Sequence, residues 1–201
     1  MTARDRVLDA YESLLIDAGP AAATLDAVSA AAEVSKGGLL YHFPSKEALV
    51  TGLLERLRRR GLEDAAAMRA APDGAVATWL RSSAPPLGGT SGLSRTYVAA
   101  LRVAGGDDAA DLARAVFTEI DEGWFAALRD ELGDPARARL VQLVGDGLYL
   151  AAVTGAEDAG PVPVEDLLAA LAPLLGRPAD APDVARGPGG PGDGAGPPQN
   201  A

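Results

Sequence analysis

The sequence predicts an all-α protein in which a three-helix unit at the N-terminus precedes a larger helical body. Apolar residues recur at helical spacing, and nowhere do they alternate with polar ones over a strand's length. Explicit Gly and Pro breaks separate the periodic segments. The charge is divided unevenly: residues 1–60 carry eight basic and eight acidic side chains, so the whole net charge of −10 lies in residues 61–201.

In the first segment Val7, Leu8, Tyr11, Leu14, Leu15 and Ala18 form one apolar stripe, which Gly19-Pro20 ends. Thr24 caps a short second helix reaching about residue 32, with Asp26 in its first turn. Ser35 caps a third, which must stop near Phe43 because Pro44 follows. Ser45 caps a fourth that runs towards Met68 through Leu49, Leu53, Leu54 and Leu57. Further helices are expected at about 73–84, 93–105, 108–132, 135–155 and 163–175. Turn chemistry at Pro85-Pro86 with Gly88-Gly89, Gly105-Gly106, Gly133-Asp134-Pro135 and Gly160-Pro161 divides them, and Pro135 suits a first helical position. From Gly176 onward 13 of 26 residues are Gly or Pro, which predicts a disordered tail. The expected organisation is therefore 1–46, 47–175 and a tail at 176–201.

Composition narrows the chemistry. With no cysteine and the single histidine His42, disulfides, thiolate nucleophiles, zinc sites built on Cys and multi-histidine metal sites are excluded, and no cofactor or metal is expected. There is no signal-like opening and no apolar run near the roughly 18 residues that would span a bilayer, so a soluble cytoplasmic protein without a membrane partner is expected. The acidic total argues against indiscriminate coating of nucleic acid, whereas the neutral N-terminal third could tolerate a polyanion at one end of the molecule.

The informative run is 24–46, TLDAVSAAAEVSKGGLLYHFPSK, where two short helices are separated by a turn of helix-turn-helix length. Ala30, Ala31 and Ala32 are small enough for a close helix crossing, while Leu25, Val28, Val34, Leu39 and Phe43 face the shared core. Lys36, Gly37, Leu40 and Tyr41 fall on the opposite side of the third helix. The adjacent glycines Gly37 and Gly38 cost a short helix roughly 1 kcal/mol each, a loss that close approach to a surface would explain. In a major groove Lys36 could reach a guanine edge or a phosphate, and Leu40 a thymine methyl.

VSKGGLLYHFPSKEAL at 34–49, preceded by TLDAVSAAAE, resembles the DNA-binding domain of TetR/AcrR-family transcriptional regulators. The resemblance implies a homodimer of all-α subunits, with an N-terminal helix-turn-helix DNA-binding domain and an α-helical ligand-binding and dimerisation domain. It implies a repressor of double-stranded operator DNA, released when a small molecule occupies the body. By position Thr24 matches a capping threonine that bonds a phosphate, Ser35, Lys36, Gly37 and Gly38 the start of the recognition helix, and Tyr41, His42 and Lys46 its distal phosphate contacts. Lys46, in the first turn of the fourth helix, also opposes the helix dipole unless an anion is near. Two residues depart from the family pattern. Leu40 replaces a tyrosine that reaches a phosphate, and Glu33 replaces a turn glycine, which costs about 1 kcal/mol of strain if that position needs φ > 0. The triple Arg58-Arg59-Arg60 reads as a solvated helix end and is not assigned to DNA.

Six of nine aromatics lie in the C-terminal helices. Trp79, Tyr97, Phe117, Trp124 and Tyr149 are candidates to line a cavity for an unidentified, hydrophobic or aromatic effector, with Asp121 and Thr118 as polar partners. Leu140, Val144, Leu148 and Ala151, with Gly147 and Gly155, make one stripe after Pro135, and Leu167, Leu168, Leu171, Leu174 and Leu175 a second. These segments resemble the family's helix pair that joins its twin in a four-helix bundle, and Leu140, Val144, Leu148, Ala151, Leu167, Leu171 and Leu174 are the expected dimer contacts. An enzyme using Asp107, Asp108 and Asp111, or Asp121 and Glu122, is disfavoured, because a bundle metal site wants Glu-x-x-His motifs that one histidine cannot supply. The alternative that Leu40 and Glu33 leave open is a ligand- or protein-binding helical module whose helix-turn-helix no longer reads DNA.

Overall fold

The computed structural model describes residues 1–84, 92–105, 109–154 and 162–176. Among these residues the elements are all helical: α1 (Ala3–Ala18), α2 (Leu25–Ala31), α3 (Lys36–His42), α4 (Lys46–Ala70), α5 (Gly74–Ser83), α6 (Gly92–Val103), α7 (Ala110–Leu132), α8 (Pro135–Thr154) and α9 (Val164–Leu175). The expected turn residues Pro85, Pro86, Gly88, Gly89, Gly106, Gly160 and Pro161, the carboxylates Asp107 and Asp108, Gly155 and the tail after Gly176 lie outside the described residues.

The first four helices start where a side-chain oxygen can take an orphan backbone N–H. Thr2 caps α1 reciprocally with Asp5, Thr24 accepts from Ala27 N, Ser35 from Gly38 N and Ser45 from Ala48 N. Glu33, between α2 and α3, has φ 54° and is the only non-glycine at positive φ among the described residues. The expected strain at the position of the family's glycine is therefore present.

One core joins α1 to α4 through Val7, Leu8, Tyr11, Leu15, Val28, Leu39, Phe43, Leu49 and Leu53, all buried. Ala99 and Val103 of α6 complete it, so the N-terminal unit is seated directly on the body. Three expected positions fall outside: Ala18 is exposed because the stripe reaches solvent at the last turn, and of the three alanines only Ala32 is buried, with Ala30 and Ala31 facing out. A second core holds the body together around Leu54, Leu57, Met68, Trp79, Leu80, Ile120, Trp124 and Leu128. The central element is α4, which packs on α7, α6, α5 and α1.

A buried polar joint ties α1, α4 and α6. Arg56 of α4 is 4% exposed and donates to Asp9 at 2.6 Å, Glu12 at 3.1 Å and the Asp5 carbonyl at 3.1 Å. Glu12 also accepts from Thr96 Oγ1 of α6 at 2.8 Å. Arg60 is not a solvated residue: it donates to the Gly92 carbonyl at 2.6 Å and bonds Thr96. Arg58 and Arg59, which do face solvent, pair with Glu119 and Glu63.

Candidate nucleic-acid interface and ligand cavity

On the N-terminal unit, Thr24, Ser35, Lys36, Gly37, Gly38, Leu40 and Tyr41 are exposed, Tyr41 by 84%. Leu39 and Phe43 point the other way, into the core, as helical spacing requires. A Cβ at Gly37 would meet nothing within 4 Å, so no contact inside the protein requires glycine there. At Gly38 a Cβ would stand 3.2 Å from Ser35 Oγ, which already accepts the Gly38 N–H, so that glycine has a local reason. His42 is half-buried, edge-on to the Tyr41 ring at 5.1 Å.

Both lysines have internal partners. Lys36 pairs with Asp26 of α2 at 2.7 Å, an exposed ion pair worth about 1 kcal/mol or less and readily exchanged. Lys46 Nζ donates to the Pro20 carbonyl at 2.8 Å, tying the start of α4 to the turn after α1. The lysine thus has a structural partner without any anion, which sequence reasoning did not anticipate.

In the body, a cavity of about 80 Å³ lies between α4 and α8. Trp79, Ser82 and Ser83 of α5, Leu93, Ser94 and Tyr97 of α6, and Trp124 of α7 form its walls, with Asp146 and Tyr149 of α8 and Asp64 of α4. The rings are mutually packed: Trp79 and Trp124 have centroids 5.1 Å apart, Tyr97 and Tyr149 5.7 Å, and Tyr97 and Trp124 6.2 Å. Four of the five expected aromatic cavity residues are therefore brought together. Phe117 is one layer back, edge-on to Tyr97 at 5.0 Å.

The expected polar partners are replaced. Asp121 does not line the cavity, because it accepts from Gln142 Nε2 at 2.7 Å and faces Arg139 at 3.5 Å, while Thr118 is exposed. The carboxylates that do line it are Asp64 and Asp146. Asp64 accepts the Trp124 indole N–H at 2.9 Å. Burial pushes the Asp64 carboxyl above its ordinary range against the opposing effect of that bond, and burial followed by the neighbouring Asp121 does the same to Asp146. The Tyr97 hydroxyl is pushed up to about 12, chiefly by burial, and stays neutral.

Gly145 was missed for want of any sequence signal. A side chain there would overlap the Trp79 indole, whose N–H edge meets the α8 backbone and donates to the Gln142 carbonyl at 3.3 Å. Close approach of ring to helix is what needs glycine.

The expected dimer contacts divide. Val144, Leu148 and Leu171 pack against the chain's own core, and Ala151 and Leu167 are half-buried. Leu140 and Leu174 are exposed by 44% and 65%, and Leu143 and Leu150, not singled out from sequence, by 59% and 63%. The outward face of α8 is thus Leu140, Leu143, Gly147 and Leu150, one heptad seam.

Among the described residues no helix is long and apolar enough to cross a membrane, and no three His, Cys, Asp or Glu side chains cluster to hold a metal. A helix-turn-helix unit seated on a helical body that encloses an aromatic cavity is the architecture of a helical transcription regulator. Residues 7–53 match the family described as bacterial regulatory proteins, tetR family, and residues 74–176 match a tetracyclin repressor-like C-terminal domain. The chain belongs to the TetR family. Two solved structures share the fold over most of their length. The multidrug binding protein EbrR, complexed with imidazole, is 25% identical with a TM-score of 0.61, covering 89% of this chain and 98% of that one. SmeT in its triclosan complex is 21% identical with a TM-score of 0.63, covering 93% and 100%. No curated protein sequence matches the chain.

Proposed function

We propose that this regulator is a repressor that grips operator DNA as a homodimer through α2 and α3 and lets go when a small molecule enters the cavity. One observation carries the reading: α4 is a single continuous helix that places Lys46 beside the helix-turn-helix and Asp64 in the cavity wall, about 27 Å apart along its axis. Any change of cavity shape that tilts α4 moves the recognition helix. Half-sites on a duplex have fixed spacing, so a dimer whose two recognition helices move apart loses one of them.

The remaining roles follow the geometry. Lys36, Gly37 and Leu40 present a thin, exposed first turn and face to base edges, while Thr24, Ser35, Tyr41, His42 and Lys46 surround it for phosphates. Gly37 in particular has no other explanation, since a side chain there would meet only what lies outside the protein. The dimer forms through the outward seam of α8 with Leu167 and Leu174 of α9, an exposed apolar face that a second copy would bury as a four-helix bundle. That imidazole and triclosan occupy complexes of two proteins with this fold supports a small cyclic effector. The reading implies a cytoplasmic protein without catalysis.

A gel shift on the DNA upstream of the chain's own gene, at increasing salt, is the test. Sequence-preferring retardation that weakens steeply with salt is expected. Absence of retardation on any upstream or random DNA pool would favour the module that no longer reads DNA.

A further inference from the structure

We propose that the cavity takes an organic cation, an ammonium or iminium head carried on an apolar or aromatic body. This rests on the effector reading of the same cavity and names the chemistry of what enters it. Two carboxylates line the cavity, the half-buried Asp64 of α4 and the solvent-exposed Asp146 of α8, and none of the described lining residues is basic. Arg139, whose charge acts on Asp146, is bonded to Asp121 and Gln142 and stacked on the Phe125 ring, Arg81 is committed to Asp73 and Glu165, and Arg60 to Glu12, Thr96 and the Gly92 carbonyl. Among the described residues Asp64 has an indole N–H as its one hydrogen-bond partner, which a neutral amide oxygen would satisfy equally well. A carboxylate held in a partly buried aromatic site with no cation is unfavourable in the empty protein, so its use lies in what it meets.

The walls point the same way. Trp79, Tyr97, Trp124 and Tyr149 put four aromatic rings around one small space, and a cation over a ring face is attracted more strongly as that space excludes water. A phenolate or carboxylate would meet repulsion from both aspartates, whereas a cation is favoured by a chain whose net negative charge lies wholly in residues 61–201. The size is also informative. About 80 Å³ holds one ring or one ammonium head, well short of the roughly 300–1,000 Å³ of drug-sized pockets, so a larger body must part the helices as it enters.

Both tryptophans of the chain line the cavity, so intrinsic tryptophan fluorescence reports on it alone. The experiment titrates the full chain with phenyltrimethylammonium and with tert-butylbenzene, which has the same shape and no charge, and repeats both on D64N/D146N. The expected result is a preference for the cation of about tenfold that the double variant abolishes while still binding the neutral compound, which shows the cavity intact. Equal affinity of the two compounds, a preference that survives in the double variant, or failure of the wild-type chain to bind the cation would overturn the proposal. Fluorescence anisotropy of DNA retarded by the chain is read in parallel. A cation preference without DNA release leaves the cation chemistry standing and removes the effector reading. Release by the neutral compound with no preference overturns the cation chemistry and keeps the effector reading.

Discussion

Glu12 on α1 accepts a hydrogen bond from Thr96 on α6 at 2.8 Å, and both side chains are shut off from water. Ser94 and Tyr97, two residues before Thr96 and one after it, line the cavity, while α1 packs behind the helix-turn-helix. The N-terminal unit is therefore attached to the cavity wall directly, through this bond, the Arg95–Ser13 bond and the packing of Ala99 and Val103, and along α4 through Arg56. Removing Arg56 leaves Glu12 as a buried charge without its main cation. Arg56→Ala is expected to destabilise the chain by about 3–5 kcal/mol in urea denaturation, and Thr96→Val by about 1–2 kcal/mol with weakened ligand-to-DNA coupling. Wild-type stability of Arg56→Ala would show that the joint is ornamental.

Lys36 has to leave Asp26 before it can touch DNA, and Asp26, 2.7 Å from it, puts a negative charge beside that lysine. Asp26→Ala is expected to tighten DNA binding several-fold and to keep its sequence preference. Lys36→Ala should weaken binding, flatten the salt slope by about one unit and relax base preference. Salt-dependent anisotropy titrations measure both, and unchanged binding in the two variants would move the interface away from α3.

Glu33 carries a left-handed backbone that the rest of the turn imposes. Glu33→Gly should raise stability by about 0.5–1 kcal/mol, and Glu33→Val should lower it by more than 1 kcal/mol, since a β-branched side chain tolerates positive φ worst. Thermal melts of the two variants check this, with the opposite order contradicting it.

On α8, Leu143 and Leu150 face out whereas Leu148 faces the core. Leu143→Glu with Leu150→Glu should give folded monomers that no longer hold operator DNA, while Leu148→Glu should unfold the body instead. Sedimentation of the first variant as a dimer would place the interface elsewhere.

These outcomes also mark how far the sequence carries. Caps such as Thr24, Ser35 and Ser45, the leucine stripe of α4 and the breaks around Gly133 act within one helical turn, so all are legible locally, as is the strain at Glu33. Glu12 and Arg56 are not legible, because a charged residue reads as solvated until a partner 44 positions away is seen beside it. Leu148 was preferred over Leu150 because α8 is apolar on most of its circumference, and the inner and outer stripes of such a helix look alike. Asp64 and Asp146 reach the cavity only once the crossings of α4 and α8 are fixed. Asp121 looks equally suited from sequence, because the contacts with Gln142 and Arg139 that hold it away from the cavity are made across helices.

The central claim is that the cavity and the DNA surface share one equilibrium through α4 and the Glu12–Thr96 bond. Linkage makes it reciprocal: if a ligand lowers DNA affinity by a given factor, DNA lowers ligand affinity by the same factor, typically about 5–150-fold. The direct measurement is calorimetric titration of the full chain with the tighter of phenyltrimethylammonium and tert-butylbenzene, with and without a saturating operator fragment. Coupling through α4 predicts weaker ligand binding to the DNA complex, by the factor that anisotropy gives for DNA release. Equal ligand affinity in the two states would contradict it.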